Sequence, residues 1–152
     1  MKDIVVVMPF TTPWSNAVWD ALLRITSKDT AKQLNLIRVD TRDTPADFLD
    51  EKIESINKGA QIILADLTGN NPNVLIEVGL ALALKTPLFL ITQDRKSVAT
   101  HLKGRIVEEY NPDDPDSLEQ LTTTLLLRMK ERIQLVDAQL TQQRTLSIYP
   151  VE

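Results

Sequence analysis

Residues 62–84 read IILADLTGNNPNVLIEVGLALAL, and the class of the fold can be inferred from them. The first four residues are aliphatic without alternation, a segment rich in Asn, Gly and Pro follows, and an apolar helical stretch ends it. A strand without polar alternation is typical of a parallel sheet covered on both faces. The stretch therefore predicts one strand, one loop and one helix of an α/β domain.

The same strand pattern recurs on both sides of this stretch. Residues 4–8 and 88–91 match it closely, and weaker runs lie at 34–39 and 105–110. Helical patterns separate these runs at about residues 14–26, 45–57 and 72–84. The β-α alternation predicts a parallel five-stranded sheet with right-handed crossovers. We expect a three-layer α/β/α sandwich with the common strand order 2-1-3-4-5.

The last helical pattern, from about residue 116 to 144, is unusually long. It contains no Gly or Pro, and about 28 helical residues would span about 42 Å. Its apolar positions recur at steps of three and four. Either the first half packs on the sheet and the second half is a polar tail, or the stripe is a near-heptad seam for a homodimer. We divide the chain into an α/β domain, 1–112, and a C-terminal helix and tail, 113–152.

The composition of the chain argues against several classes of function and kinds of site. A length of 152 residues suits one domain, and a net charge of -4 argues against binding of polymeric nucleic acid. Without cysteine, and with His101 as the one histidine, neither a disulfide framework nor a zinc cluster is expected, and we predict no metal or cofactor. No signal-peptide core or membrane-spanning run is present, so we expect a cytoplasmic protein without a membrane partner.

Two loops are candidates for a binding site. In an open parallel sheet, ligands bind beyond the carboxyl ends of the strands where the strand order reverses, which here lies between strands 1 and 3. The loops that leave these strands cover residues 8–14 and 66–73, and Trp14 could stack on a base. Their candidate substrate-binding residues are Pro9, Phe10, Thr11, Trp14, Thr68, Gly69, Asn71 and Asn73. The loops have few cations, which favours an unphosphorylated sugar, although Lys2, Arg42 or Arg95 could reach in.

Two acids stand out in the second of these loops and the helix that follows. Asp66 ends strand 3, where it could cap the turn through backbone N–H groups or bind ribose hydroxyls. Glu77 is the one charge in an apolar helix, and a buried carboxylate must be paired, neutral or directed into a cleft. Pairing with Lys85 or with a group on strand 1 would explain it structurally, whereas its position at the switch point favours a functional role. Gly79 predicts a close approach of this helix to a strand or ligand.

Residues 65–81, ADLTGNNPNVLIEVGLA, resemble a motif of the nucleoside 2-deoxyribosyltransferase-like superfamily. Its members carry a strand-ending Asp, a polar loop, and then Glu-x-Gly-x-Ala on the next helix. Met8-Pro9-Phe10 is similar to the Pro-Phe that follows their first strand. With its strand context, the resemblance covers roughly residues 3–110. It implies a flavodoxin-like, Rossmann-like fold and transfer or hydrolysis at the N-glycosidic bond of a nucleoside or nucleotide.

The resemblance also implies roles for the two acids. The family's glutamate, matched by Glu77, attacks the anomeric carbon, and its aspartate, matched by Asp66, contacts the substrate. Asp66 is also the first candidate for the general acid that assists the departing base. Members usually carry another acid in the loop before the glutamate, where this chain has Asn70, Asn71 and Asn73.

Other functions remain open at this stage. TIR-type domains share the general layout and use a helix glutamate to cleave NAD, which makes NAD hydrolysis an alternative. A non-catalytic nucleotide-binding or sensing module would keep the fold and the pocket without a nucleophile. A phospho-acceptor receiver domain is disfavoured because Met8-Pro9-Phe10 stands where an acidic pair would be needed. The glycines lie only at 59, 69, 79 and 104, so the sequence contains neither the P-loop motif nor the dinucleotide-binding glycine motif.

Overall fold

The computed structural model describes residues 2–9, 11–38 and 61–148. It has five strands: β1 (Lys2–Val7), β2 (Leu34–Arg38), β3 (Gln61–Asp66), β4 (Leu88–Thr92) and β5 (Val107–Glu109). The α-helices of the described part are α1 (Pro13–Ser27), α2 (Pro72–Ala83) and α3 (Pro115–Ile148). The helix expected over residues 45–57 lies outside the described residues, as does Phe10.

The five strands form one parallel sheet in the order β2-β1-β3-β4-β5, which confirms the predicted topology. The register pairs Val7 with Ala65, and Asp66 with Ile91. The strand order reverses between β1 and β3. The segments that follow these strands therefore leave the same edge of the sheet side by side.

Successive residues of the central strands point to opposite faces, and a separate apolar cluster covers each face. One cluster joins Ile4, Val6 and Leu64 to residues of α1 and α3. The other joins Val5 and Ile63 to residues of α2. Because both faces of the strands are buried, the strands need apolar side chains at every position. The helices thus lie on both sides of the sheet in a three-layer α/β/α arrangement.

Helix α1 begins with a capped first turn. Thr12 is the N-cap: its Oγ1 accepts from the backbone N–H of Ser15 at 3.3 Å, and Pro13 occupies the first helical position. Just beyond its C-terminal end, Asp29 forms an ion pair with Lys130 of α3. The two helices on this face are therefore joined by a charged contact as well as by the core.

Helix α3 has 34 residues, which corresponds to about 51 Å. Its buried apolar side chains are Leu118, Leu121, Leu125, Met129 and Ile133. After Ile133, every described side chain is exposed except the half-buried Val136. The first half thus packs in the core as the first interpretation predicts, so only the second half of the apolar stripe remains available for a seam between copies. No helix of the described residues, α3 included, is long and apolar enough to cross a bilayer.

Helix α2 is buried on one face only, in contrast to the all-round burial that its apolar sequence suggests. Its buried residues are Val74, Glu77, Val78 and Ala81, whereas Ile76 is 58% exposed. Gly79 also faces outward, and a Cβ added there meets no described atom within 4 Å. The expectation that Gly79 permits a close approach is therefore not met within the described residues, because the helix contacts the sheet through its other side.

Candidate functional site

The candidate site lies at the carboxyl edge of β1 and β3. Since Val7 and Ala65 are register partners, Met8 and Asp66 are the next residues on each chain and the two loops begin as neighbours. This is the position that the strand-order rule predicts for a ligand. On one side of the sheet α2 begins here, and on the other side α1 begins here.

Asp66 is completely enclosed, with no exposed surface. Its Oδ1 accepts from the backbone N–H of Thr68 at 2.9 Å and from the Thr68 hydroxyl at 2.6 Å. Its Oδ2 accepts from the hydroxyl of Tyr110, the residue that follows β5. Asp66 thus links the carboxyl ends of β3 and β5, across β4, through side-chain hydrogen bonds.

The network closes through the segment after β4. The backbone N–H of Gln93 donates to Thr68 Oγ1 at 3.0 Å, and the Gln93 side-chain amide lies 3.4 Å from the Tyr110 hydroxyl. A ring of polar groups therefore connects Asp66, Thr68, Gln93 and Tyr110. Buried polar groups need hydrogen-bond partners, and each group of the ring has one. The ring therefore holds the loops at the ends of these strands in a fixed geometry.

Burial raises the pKa of Asp66, and the hydrogen bonds from Thr68 and Tyr110 oppose this shift. Burial also raises the pKa of Tyr110, and the nearby Asp66 carboxylate raises it further. The Tyr110 hydroxyl therefore keeps its proton at neutral pH and can donate it in the hydrogen bond to Asp66. The pKa of this carboxyl group lies above that of an exposed aspartate.

The turn-capping interpretation of Asp66 is confirmed by the hydrogen bond from the Thr68 N–H. Its predicted roles in substrate binding and as the general acid stay predictions. Its carboxyl oxygens are occupied by Thr68 and Tyr110 and are closed to solvent. A substrate would reach them only if the loop over residues 66–73 moved.

The loop between β3 and α2 has a fixed and partly left-handed backbone. Gly69 has φ +75° and Asn70 has φ +50°, and such angles favour glycine and asparagine. The Asn70 amide donates to the Ser97 carbonyl at 2.8 Å, which ties this loop to the segment after β4. Asn71 is the N-cap of α2, and its Oδ1 accepts from the Asn73 N–H at 2.9 Å.

Glu77 lies in the second turn of α2, on the face directed at the sheet. It is 8% exposed and sits among Val74, Val78 and Ala81, the apolar residues that pack on β1 and β3. Because α2 begins at the carboxyl edge, the first two turns keep the glutamate at the same end of the sheet as Asp66. The expected burial of Glu77 is thus confirmed, whereas its role at the switch point stays a prediction.

The remaining predicted residues divide by accessibility. Trp14 and Pro9 are half-buried, as is Thr68, whereas Thr11, Gly69 and Asn73 are exposed. Asn71, which is half-buried, is engaged in capping α2. The carboxyl edge therefore combines exposed polar groups with a half-buried indole. Binding of a substrate by these residues stays a prediction, and Phe10 lies outside the described residues.

Two of the three cations considered for this edge have partners in the described structure. Lys2 begins β1 at the opposite edge of the sheet, where its Nζ lies 3.7 Å from Asp137 Oδ1. The Arg95 guanidinium donates to the Val107 carbonyl at 3.0 and 3.3 Å. The third, Arg42, lies outside the described residues.

Tyr110 and Gln93 belong to the hydrogen-bond network of Asp66, although neither is among the site residues predicted from the sequence. A signal existed for Tyr110, since it ends the fifth predicted strand, where the strand-order rule puts the carboxyl edge. Gln93 follows β4 at the same edge. Recognising the contact of Tyr110 with Asp66 requires the spatial order of three strands, because the two residues are separated by 44 positions. Gln93 joins the network through Thr68 and Tyr110.

In the described part of the chain, no three His, Asp or Glu side chains are grouped so that they could hold a metal ion. Comparison of the sequence with protein-family models and with curated proteins finds no match.

Proposed function

We propose that the protein breaks the N-glycosidic bond of a nucleoside, with Glu77 as the nucleophile. The observation that carries the proposal is a carboxylate on the buried face of α2, at the switch point of a parallel sheet. Carboxylates at such sites are frequent catalytic groups, because burial strengthens their interaction with positive charge that develops on a sugar. The resemblance of residues 65–81 to the deoxyribosyltransferase motif supports the same role.

The proposed reaction has two steps. A Glu77 oxygen attacks the anomeric carbon, the C1′–N bond breaks, and its electron pair leaves with the base, which takes a proton from a general acid. Water or a second base then attacks the same carbon, loses a proton and releases the Glu77 carboxylate. Attack by water makes the protein a hydrolase, whereas attack by a base makes it a transferase.

Asp66 is the proposed general acid. Its raised pKa favours the protonated form that an acid needs, relative to an exposed aspartate. Its enclosure by Thr68 and Tyr110 requires an opening of the 66–73 loop before proton transfer. If Asp66 instead only positions the loop, Asp66→Asn would change KM more than kcat and leave the pH profile of kcat unchanged.

The proposed substrate is an unphosphorylated nucleoside. Lys2 lies at the opposite edge of the sheet, and the guanidinium of Arg95, which follows β4, is engaged with the Val107 carbonyl and so is less available to a 5′-phosphate. The half-buried Trp14 supplies an aromatic surface for a base. These two observations favour a nucleoside over a nucleotide or NAD as the substrate.

The test is to incubate the protein with deoxynucleosides, deoxynucleotides and NAD and to measure the release of free base by chromatography. We expect release from a deoxynucleoside that Glu77→Gln abolishes, while Glu119→Gln, at an exposed glutamate on α3, retains full activity. Release that persists in Glu77→Gln would contradict the proposed nucleophile. Release from NAD alone would favour the TIR-like alternative, and nucleotide binding without any release would favour a non-catalytic module.

A further inference from the structure

A cavity lies at the edge of the sheet opposite the candidate site. It has a volume of about 450 Å³ and sits at the start of β4, between the turn after α2 and the middle of α3. Its walls are Leu82, Lys85, Thr86, Pro87, Leu88, Phe89, Arg105 and Arg132. It is separated from the candidate catalytic site along two elements. Asp66 is level with Ile91, about 10 Å beyond Leu88 along the strand direction, and Glu77 precedes Leu82 on α2 by five residues, about 7.5 Å.

Three cations surround this cavity without a carboxylate among the lining residues. Lys85, Arg105 and Arg132 are exposed, and none of them forms an ion pair within the described residues. By contrast, Arg128, one turn before Arg132 on α3, is paired with Glu108. Three like charges around one cavity repel each other, and an anionic ligand would relieve this repulsion. The clustering of positive charge is notable because the chain as a whole has a net charge of -4.

The backbone at Lys85 adds an independent observation. Lys85 has φ +55°, at the position after the C-cap of α2 where glycine is the usual residue. The backbone N–H of Thr86 bonds to the Ala81 carbonyl at 3.0 Å and closes this turn. A lysine in the left-handed region is strained, and such strain is often retained at functional sites. Here the strained residue is one of those that line the cavity.

The other wall of the cavity is apolar. Leu82, Pro87, Leu88 and Phe89 are half-buried, and the Phe89 ring gives a surface suited to a planar group. Arginine binds phosphate through two parallel N–H groups, and lysine binds it as a point charge. A ligand with phosphates at one end and a planar apolar body at the other would match both walls.

We propose that the cavity bounded by Lys85, Arg105 and Arg132 binds a nucleoside di- or triphosphate, as a site separate from the carboxyl edge. The phosphates contact the three cations and the base lies against Phe89. The volume is within the range of small-molecule sites. This site does not depend on the glycosidase proposal, and its ligand is not the proposed substrate.

The test is calorimetric titration of the full chain with inorganic triphosphate, ATP and adenosine. We expect triphosphate to bind and ATP to bind more tightly, whereas Arg105→Gln should leave the signal with adenosine unchanged, because adenosine has no phosphate for this cavity. Arg105→Gln and Arg132→Gln should each weaken ATP binding about tenfold, the loss expected for one charge-assisted contact. Lys96→Gln, which removes an exposed cation after β4, should leave the affinity unchanged.

Lys85→Gly separates binding from folding. Glycine removes the left-handed strain, so this variant should be at least as heat-stable as the parent protein while its affinity for ATP falls. Glu77→Gln should bind ATP as the parent does, which separates this site from the catalytic proposal. Absence of triphosphate and ATP binding, or equal losses in Lys96→Gln and the arginine variants, would overturn the site. ATP binding no tighter than triphosphate would overturn the role of Phe89 and the nucleotide assignment.

Discussion

At the scale of single residues, the hydrogen bond between Tyr110 and Asp66 connects the candidate site to the stability of the core. The Asp66 carboxyl is fully buried, so the loss of a donor leaves it poorly compensated. Because its pKa is raised in the folded state, the folded protein keeps this proton at pH values where the unfolded chain has lost it. Its contribution to the unfolding free energy therefore falls as pH rises from 3.8 to the folded-state pKa.

Tyr110→Phe should lower the free energy of unfolding by about 1–3 kcal/mol at neutral pH. The charged form of Asp66 loses a donor, so its pKa rises further and the loss of stability should be larger at neutral pH than near pH 4. Urea unfolding at both pH values measures this. In an Asp66→Asn background the same substitution should cost less, and an equal cost in both backgrounds would contradict the coupling.

Gly79→Ala is expected to stabilise the protein by about 0.5–1 kcal/mol, because glycine within a helix costs this amount relative to alanine. A methyl group at this outward position meets no described atom within 4 Å. Thermal or urea unfolding would detect the gain. A loss of stability would mean that another part of the chain or a second copy packs closely against this face of α2.

At the scale of elements, α3 joins two segments with different roles. Its first half supplies five buried apolar side chains, and its second half supplies exposed ones such as Leu135, Leu140 and Leu146. The exposed leucines keep the predicted homodimer open as a proposal for the second half. The ion pair between Lys2 and Asp137 is partly exposed, and a contact of this kind contributes little stability.

Ending the chain after Gln134 should shift the melting temperature by no more than about 2 °C, since the described side chains of the removed segment, 135–146, lie outside the buried core. Thermal unfolding monitored by circular dichroism would measure this. If the second half holds two copies together, the shortened chain should be monomeric by light scattering where the full chain is dimeric. A large loss of stability in a monomeric full chain would show that the removed segment packs on its own domain.

The elements were predictable to different degrees. Strands such as β1 and β3 can be recognised in the sequence, because burial on both faces requires unbroken apolar runs. The all-round apolar pattern of α2, by contrast, suggested burial that the structure shows on one face only. A sequence pattern reports how apolar a face is, whereas exposure also depends on what packs against it.

At the scale of the whole molecule, the sheet and α3 share one core. The apolar cluster that includes Ile4, Val6 and Leu64 also includes Leu125 and Met129 of α3. Full burial of a leucine or methionine contributes about 1.5–3 kcal/mol. Five such side chains from α3 are therefore comparable with the whole stability of a typical domain, about 5–15 kcal/mol.

We therefore expect residues 1–112 not to fold alone, although they contain all five strands. The full chain should unfold in one cooperative transition, and the 1–112 fragment should show neither a cooperative transition nor dispersed NMR resonances. A folded 1–112 fragment would contradict the shared core. The division at residue 112 is then a boundary in sequence rather than one between independent folding units.

The position of the site could be predicted from the strand order, whereas its internal contacts could not. Asp66 and Glu77 were identified because a charge at the end of a strand or within an apolar helix is conspicuous. Tyr110 was missed because an aromatic residue at the end of a strand also fits an ordinary core. Its hydroxyl can be assigned to the candidate site only from the structure, in which the order of β3, β4 and β5 places it against Asp66.

The second half of α3 also affects how the protein moves through water. From Gln134 to Ile148 it extends about 22 Å, while a compact chain of this length has a radius of gyration of about 15 Å. A rod of exposed side chains increases translational friction, so a monomer should elute earlier from a gel-filtration column than a sphere of equal mass. The same rod makes rotational tumbling anisotropic, with slower reorientation of N–H vectors that lie along the α3 axis.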